Sequence, residues 1–308
     1  MNPVPVGPRR VFGVDFSAAR DAGNHIWICR AHPGSDGIRV DSIDPLSELP
    51  GGAVDREGAL RALVQKVAES PRSAWGFDFS FGLPQAILHT LAPGMSRYGD
   101  QLDVVAGLGQ ADNFRERCIG ASPAVELRRR TDDEASTPFS PYNLRIYKQT
   151  FHGLTEVVRP LRSRPGVVAL PFDAIPPAAA PAGVQAAGLQ ADERLPFNRA
   201  ASGAVPHIYL LEVCPASVLA RLDYPTRGYK GGGGPAAEAR QGLLRRLVDD
   251  GLVRPMSRVP RNRVIDDEEG DALDAVLAAV GAWRGTRDYD HAALRADPMY
   301  GLEGFVYT

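Results

Sequence analysis

Val11-Phe12-Gly13-Val14-Asp15-Phe16-Ser17 near the start of the chain is echoed sixty residues later by Ala74-Trp75-Gly76-Phe77-Asp78-Phe79-Ser80. Each copy is a short apolar run of strand length that ends on a carboxylate two residues after a glycine. Alternate residues of a strand share a face. Val11, Gly13 and Asp15 therefore stand together, as do Ala74, Gly76 and Asp78. Taken singly, each acid reads as a strand-end residue whose carboxylate accepts backbone N–H bonds in a turn. A third apolar run, residues 207–213, repeats the pattern with Ile208, Leu210 and Glu212. Three apolar strands that each deliver one acid at the same end raise a different expectation. Ligands bind outside the carboxyl ends of parallel strands, and clustered buried carboxylates need protons or a cation.

Working outward from these runs gives an α/β pattern. Residues 11–16, 25–31 and 38–40, with the turn-rich Pro33-Gly34-Ser35-Asp36-Gly37 between the last two, predict a meander of three antiparallel strands. Leu60, Leu63, Val64 and Val67 recur at helical spacing behind Asp55, a suitable N-cap. Residues 74–79 follow as a strand, and strand-helix-strand order predicts parallel pairing with the first. Helical patterns cover 84–91 and, interrupted by glycines, 101–119. Residues 128–145 are polar and turn-rich; Tyr147, Phe151, Leu154, Val158 and Leu161 form another helical stripe, and 167–170 a short strand. Residues 171–206 are rich in Ala, Pro and Gly, which predicts a mobile linker. Further helices are expected at 217–222, 236–249 and 269–283, with a small edge strand at Phe305-Val306-Tyr307. This gives one domain over 9–308 carrying an insertion at 95–206, helical and polar to 165 and linker-like from 171.

The helix at 269–283 adds two more acids. Asp271 and Asp274 stand three residues apart and share a face, next to Leu273, Val276, Leu277 and Val280. Acids in a first helical turn also suit the helix dipole, which accounts for Glu268 and Glu269; Asp274 lies too deep among apolar neighbours for that account. Asp266 and Asp267 read as solvated loop acids.

The order of elements resembles the ribonuclease H-like fold, and DALDAVLAA (residues 271–279) resembles the last-helix motif of RuvC-type resolvases. GVDFSAAR (13–20), GFDFSFGLP (76–84), LEVCPAS (211–217), GDALDA (270–275) and EGFVY (303–307) resemble, in order, the motifs of domain of unknown function family 429, whose members are regarded as ribonuclease H-like nucleases. The resemblance spans residues 11–307 and leaves 171–206 without a motif. It implies a mixed sheet of order 3-2-1-4-5 flanked by helices. It also implies two-metal phosphodiester hydrolysis with magnesium or manganese ions about 4 Å apart. By motif position, Asp15 would bridge the ions, and Asp78, Glu212, Asp271 and Asp274 would complete their shells.

Candidate phosphate contacts are Arg20, Arg129, Lys148, Lys230 and Arg261. Arg129 lies in an Arg128-Arg129-Arg130 run that serves equally as a solvated helix end. Tyr142, Arg145, Tyr147 and Lys148 interleave aromatic rings with cations, as a strand-binding surface does, although core plus surface charge explains them nearly as well. Arg254, Arg258, Arg261 and Arg263 form a basic loop before the acidic helix and could equally neutralise it. Lys230 precedes four glycines without the ending of a phosphate-binding P-loop.

Composition narrows the partners. The net charge of −2 gives no global attraction for nucleic acid or membranes. Cys29, Cys118 and Cys214 form no CxxC, the six histidines show no ligand spacing, and a cytoplasmic protein is expected. No stretch approaches the roughly 20 apolar residues of a membrane span. A sugar-kinase or actin-like ATPase would need glycine-rich loops after the strands that end at Asp15 and Asp78. A haloacid-dehalogenase-type phosphatase would need an acid at Ser17. A non-catalytic binding module of the same fold would have lost carboxylates that are all present here. A nucleic acid or nucleotide-like substrate is the expected partner.

Overall fold

The computed structural model describes residues 7–175 and 207–308. A seven-stranded mixed sheet is built from β1 (Arg10–Asp15), β2 (Trp27–Gly34), β3 (Gly37–Pro45), β4 (Ser73–Phe77), β5 (Val167–Ala169), β6 (Ile208–Val213) and β7 (Val306–Tyr307). Its order is β3-β2-β1-β4-β6-β5, with β7 also pairing β6. The first three strands are antiparallel, and β1, β4, β6, β5 and β7 pair in parallel. This is the ribonuclease H-like order expected, with the 207–213 run as the strand beside β4. The parallel register carries the echo into space: Gly13 pairs with Gly76, and Phe12 with Trp75, whose rings stack 4.0 Å apart.

Each sheet face has its own core. On one, Phe12, Val14, Trp75 and Phe77 pack beneath the Arg56–Ala68 helix and the helices between Gln85 and Arg162. Asp55 caps the first of these helices through the Gly58 N–H at 2.9 Å. The other face receives the Asp271–Asp288 helix, which lies on Val11, Ala74 and Leu211. The two glycines explain how close it comes. A Cβ on Gly13 would stand 2.0 Å from the Ala275 carbonyl oxygen, and one on Gly76 would stand 2.4 Å from that of Ala278. Only bare backbone, met by alanines, permits that approach.

Several expectations need correction. Residues 101–119 form two helices, Tyr98–Gly107 and Ala111–Ala121, broken where Gly109 adopts φ +77°. The stripe from Tyr147 is α-helical to His152, a π-helix over Gly153–Val158 and α-helical again over Arg159–Arg162. The expected basic loop holds a helix, Arg258–Asp266. The expected linker begins as ordered structure, because Phe172 stacks on Tyr98 and Asp173 pairs with Arg162 at 2.6 Å. Residues 176–206 lie outside the described residues. Among the described residues no helix is long and apolar enough to cross a membrane.

Candidate metal centre

β1 ends on Asp15 and β4 ends just before Asp78, whose N–H continues the ladder to the Val14 carbonyl at 3.0 Å. The helix lying on Gly13 and Gly76 begins at Asp271, so its first turn hangs over the same strand ends. Carboxylate oxygens of Asp15, Asp271 and Asp274 all come within 4.8 Å of one another. Asp15 is 8% exposed and Asp274 3%. The Asp15 carboxylate accepts no hydrogen bond among the described residues. Burial pushes its pKa well above the usual carboxylate range, helped by the charges of Asp271, Asp274 and Asp78. Asp78 is pushed up to about 8 by burial and then by Asp274, and Asp271 to about 6 by burial.

Among the described residues, one cation, Lys230, answers these four acids. Lys230 places its Nζ 2.6 Å from Asp274 and 3.4 Å from Asp271. Burial alone would lower its pKa, but Asp274 and Asp15 outweigh burial and hold the ammonium charged. Tyr229 donates its hydroxyl to Asp274 Oδ1 at 2.8 Å. The Tyr229 contact escaped the sequence reading, since a tyrosine before a glycine run carries no pattern of its own. Four carboxylates beside one ammonium cannot all stay ionised in so buried a place unless a further cation joins them, and their raised pKa values reflect that. The hard oxygen donors of the four acids fit magnesium or manganese, although Asp271 is shared with a neighbouring group in which the His25 ring and Glu269 also come within 4.8 Å of it. Asp267, expected to be solvated, instead caps the helix, accepting from the Ala272 N–H at 2.8 Å.

Glu212 stands apart from this group. Its register partner on β4 is Phe77, so it lies on the opposite sheet face from Gly13, Gly76 and Leu211. There it accepts from both terminal nitrogens of Arg129 and from the Phe81 N–H at 2.8 Å. Arg129 is 1% exposed and also grips Asp132 at 2.7 Å. Burial works against the charge of this guanidinium, yet Asp132 and Glu212 hold its pKa well above normal. Arg129 is thus an internal strut, and Glu212 its partner rather than a member of the acidic cluster.

The other proposed contacts disperse. Arg128 and Arg130 are held by Asp133, and by Glu134 and Asp297. Tyr142 and Tyr147 are buried and bonded to Ser122 and Asp112, which is the core reading of that stripe. Lys148 lies over the Tyr147 ring. Arg20 and Arg261 are exposed. None of Arg20, Lys148 and Arg261 lines the cleft that opens beside Asp78 and Asp274, whereas Lys230 and Arg129 do. That cleft, about 390 Å³, runs from Asp78, Asp274 and Lys230 to a wall of Phe139, Arg145 and Gln149. Phe139 is a lining residue that no sequence pattern marked.

A scan of protein-family models, a search of curated proteins and a search of solved structures each find nothing that matches this chain.

Proposed function

We propose that this chain is a metal-dependent phosphodiester hydrolase of the family 429 type, with Asp15, Asp78, Asp271 and Asp274 holding magnesium or manganese. One observation carries the reading: Asp15, Asp271 and Asp274 meet within 4.8 Å at the carboxyl end of the parallel strands, with Asp78 beside them. Bound there, a pair of divalent ions would activate a water and stabilise the leaving oxygen. The protein's part is to hold the acids aimed at one place, where their raised pKa values mean that a binding ion would displace protons from them. Tyr229 fixes Asp274, the helix seated on Gly13 and Gly76 fixes Asp271 and Asp274 against Asp15, and Lys230 supplies positive charge at the rim.

The ATPase alternative is disfavoured by the loop after β4. A phosphate cradle needs outward backbone N–H groups. Here the Phe81 N–H is bound by Glu212, and the Leu83 N–H by Gln101 at 3.3 Å.

The test is hydrolysis of bis(p-nitrophenyl) phosphate and of single-stranded DNA and RNA with added magnesium or manganese. Cleavage should need the metal and should fall at least about 100-fold in Asp274→Asn. Absence of metal-dependent cleavage of every substrate, or an Asp274→Asn variant as active as the parent, would overturn the reading.

A further inference from the structure

We infer that the cleft takes a single nucleoside monophosphate unit, free or at the end of a single strand, rather than a double helix; this rests on the hydrolase reading above. The shape of the site is the first ground. Its volume of about 390 Å³ lies in the range of small-ligand pockets, about 300–1,000 Å³. The segment between β4 and β5 contributes Pro138, Phe139, Arg145 and Ile146 to the same lining as Asp78 and Asp274. A duplex instead meets a broad surface, burying on the order of 1,000 Å² or more of protein.

The second ground is the accounting of cations. Affinity for duplex phosphates comes from several lysines and arginines acting together. Among the described residues, three basic side chains line this cleft. Arg129 is held by Glu212 and Asp132, and Lys230 by Asp274 and Asp271. Arg145 alone has no carboxylate partner among the described residues, and its guanidinium is 5.4 Å from the centre of the Phe139 ring. One unpaired cation suits one phosphate or one stacked base, not a phosphate track.

The third ground is the chemistry of the wall. Phe139 is half-buried and Arg145 exposed, so together they offer a flat ring and a flat cation to the cleft. Aromatic and guanidinium planes are the surfaces on which unpaired bases stack. With a phosphate drawn to the acidic floor by divalent ions, the base would meet that wall.

The experiment measures binding of a short fluorescent phosphorothioate-linked single strand, in manganese, against the same sequence as a duplex. The single strand should bind at least about tenfold tighter than the duplex, and Arg145→Ala and Phe139→Ala should each weaken it about tenfold. A nucleoside monophosphate added as competitor separates the two sources. Displacement identifies the free unit as sufficient; retention of the strand identifies a strand end. Equal or tighter duplex binding, wild-type affinity in Arg145→Ala, or no binding of either form would overturn the inference. Calorimetric manganese titration of the same samples keeps the two readings apart. Metal bound by the parent and lost in Asp15→Asn, together with any of those failures, removes the substrate assignment and leaves the hydrolase reading standing. Loss of metal binding in the parent removes the hydrolase reading itself.

Discussion

Glu212 and Asp274 are both buried acids with apolar neighbours, yet they do different work because of what faces them. Asp274 meets Lys230, Tyr229 and the other acids, whereas Glu212 meets a guanidinium that is already forked onto Asp132. Removing one partner from a buried ion pair strands the other, at a cost of about 3–5 kcal/mol. Arg129→Ala should therefore lose stability of that order in urea denaturation while leaving the three-acid cluster able to bind metal. A loss under about 1 kcal/mol would show that Arg129 is not the strut described. Alternation along each run correctly put Gly13 with Asp15 and Leu210 with Glu212. What alternation cannot give is the phase of one strand against its neighbour. That phase is set by long-range pairing, and a shift of one residue turns a side chain to the other face. The expectation that Glu212 joins the cluster fails at that step, because its register partner is Phe77.

At the scale of elements, the Gly-x-Asp echo is a seat and an acid in one motif. The glycine lets the Asp271–Asp288 helix rest on the sheet, and the acid two residues on meets that helix's first turn. Gly13→Ala would drive a methyl into the Ala275 carbonyl and the Ala279 N–H. Overpacking of this kind costs about 1–3 kcal/mol or more. The variant should melt earlier and bind manganese more weakly, since the helix carrying Asp271 and Asp274 must lift away from Asp15. Unchanged melting and unchanged affinity would contradict the seat. Other elements were hidden by residue type. The arginines from Arg254 to Arg263 read as a basic loop, yet most of them lie on a helix; its Pro260 is the third residue, where the backbone N–H has no intrahelical acceptor and proline is tolerated. The helix at 269–283 was legible because its apolar residues keep one period throughout.

For the whole molecule, the tail closes the fold as well as the sheet. β7 pairs β6 beyond the reach of β5, and Tyr307 packs against His291 with its hydroxyl 3.2 Å from Nδ1. Burial lowers His291 to about 4, from an ordinary value near 6.5. The unfolded chain then binds more protons between those values. The contribution of His291 to stability should be level above about pH 6.5 and fall by about 3 kcal/mol as pH drops through 4. His291→Gln should remove that part of the acid slope in denaturation curves taken across the range; an unchanged slope would place the titrating group elsewhere. The wall of the cleft, by contrast, comes from an insertion whose packing no local pattern announces. Phe139 and Arg145 gain meaning only when 98–162 folds over the strand ends.

Asp15, with Asp271 and Asp274, should bind a divalent ion, and Glu212 should not. Manganese titrated calorimetrically into the parent, Asp15→Asn and Glu212→Gln tests it most directly. Binding should appear in the parent, vanish in Asp15→Asn and keep near-parental affinity in Glu212→Gln. Binding that survives in Asp15→Asn and disappears in Glu212→Gln would contradict it.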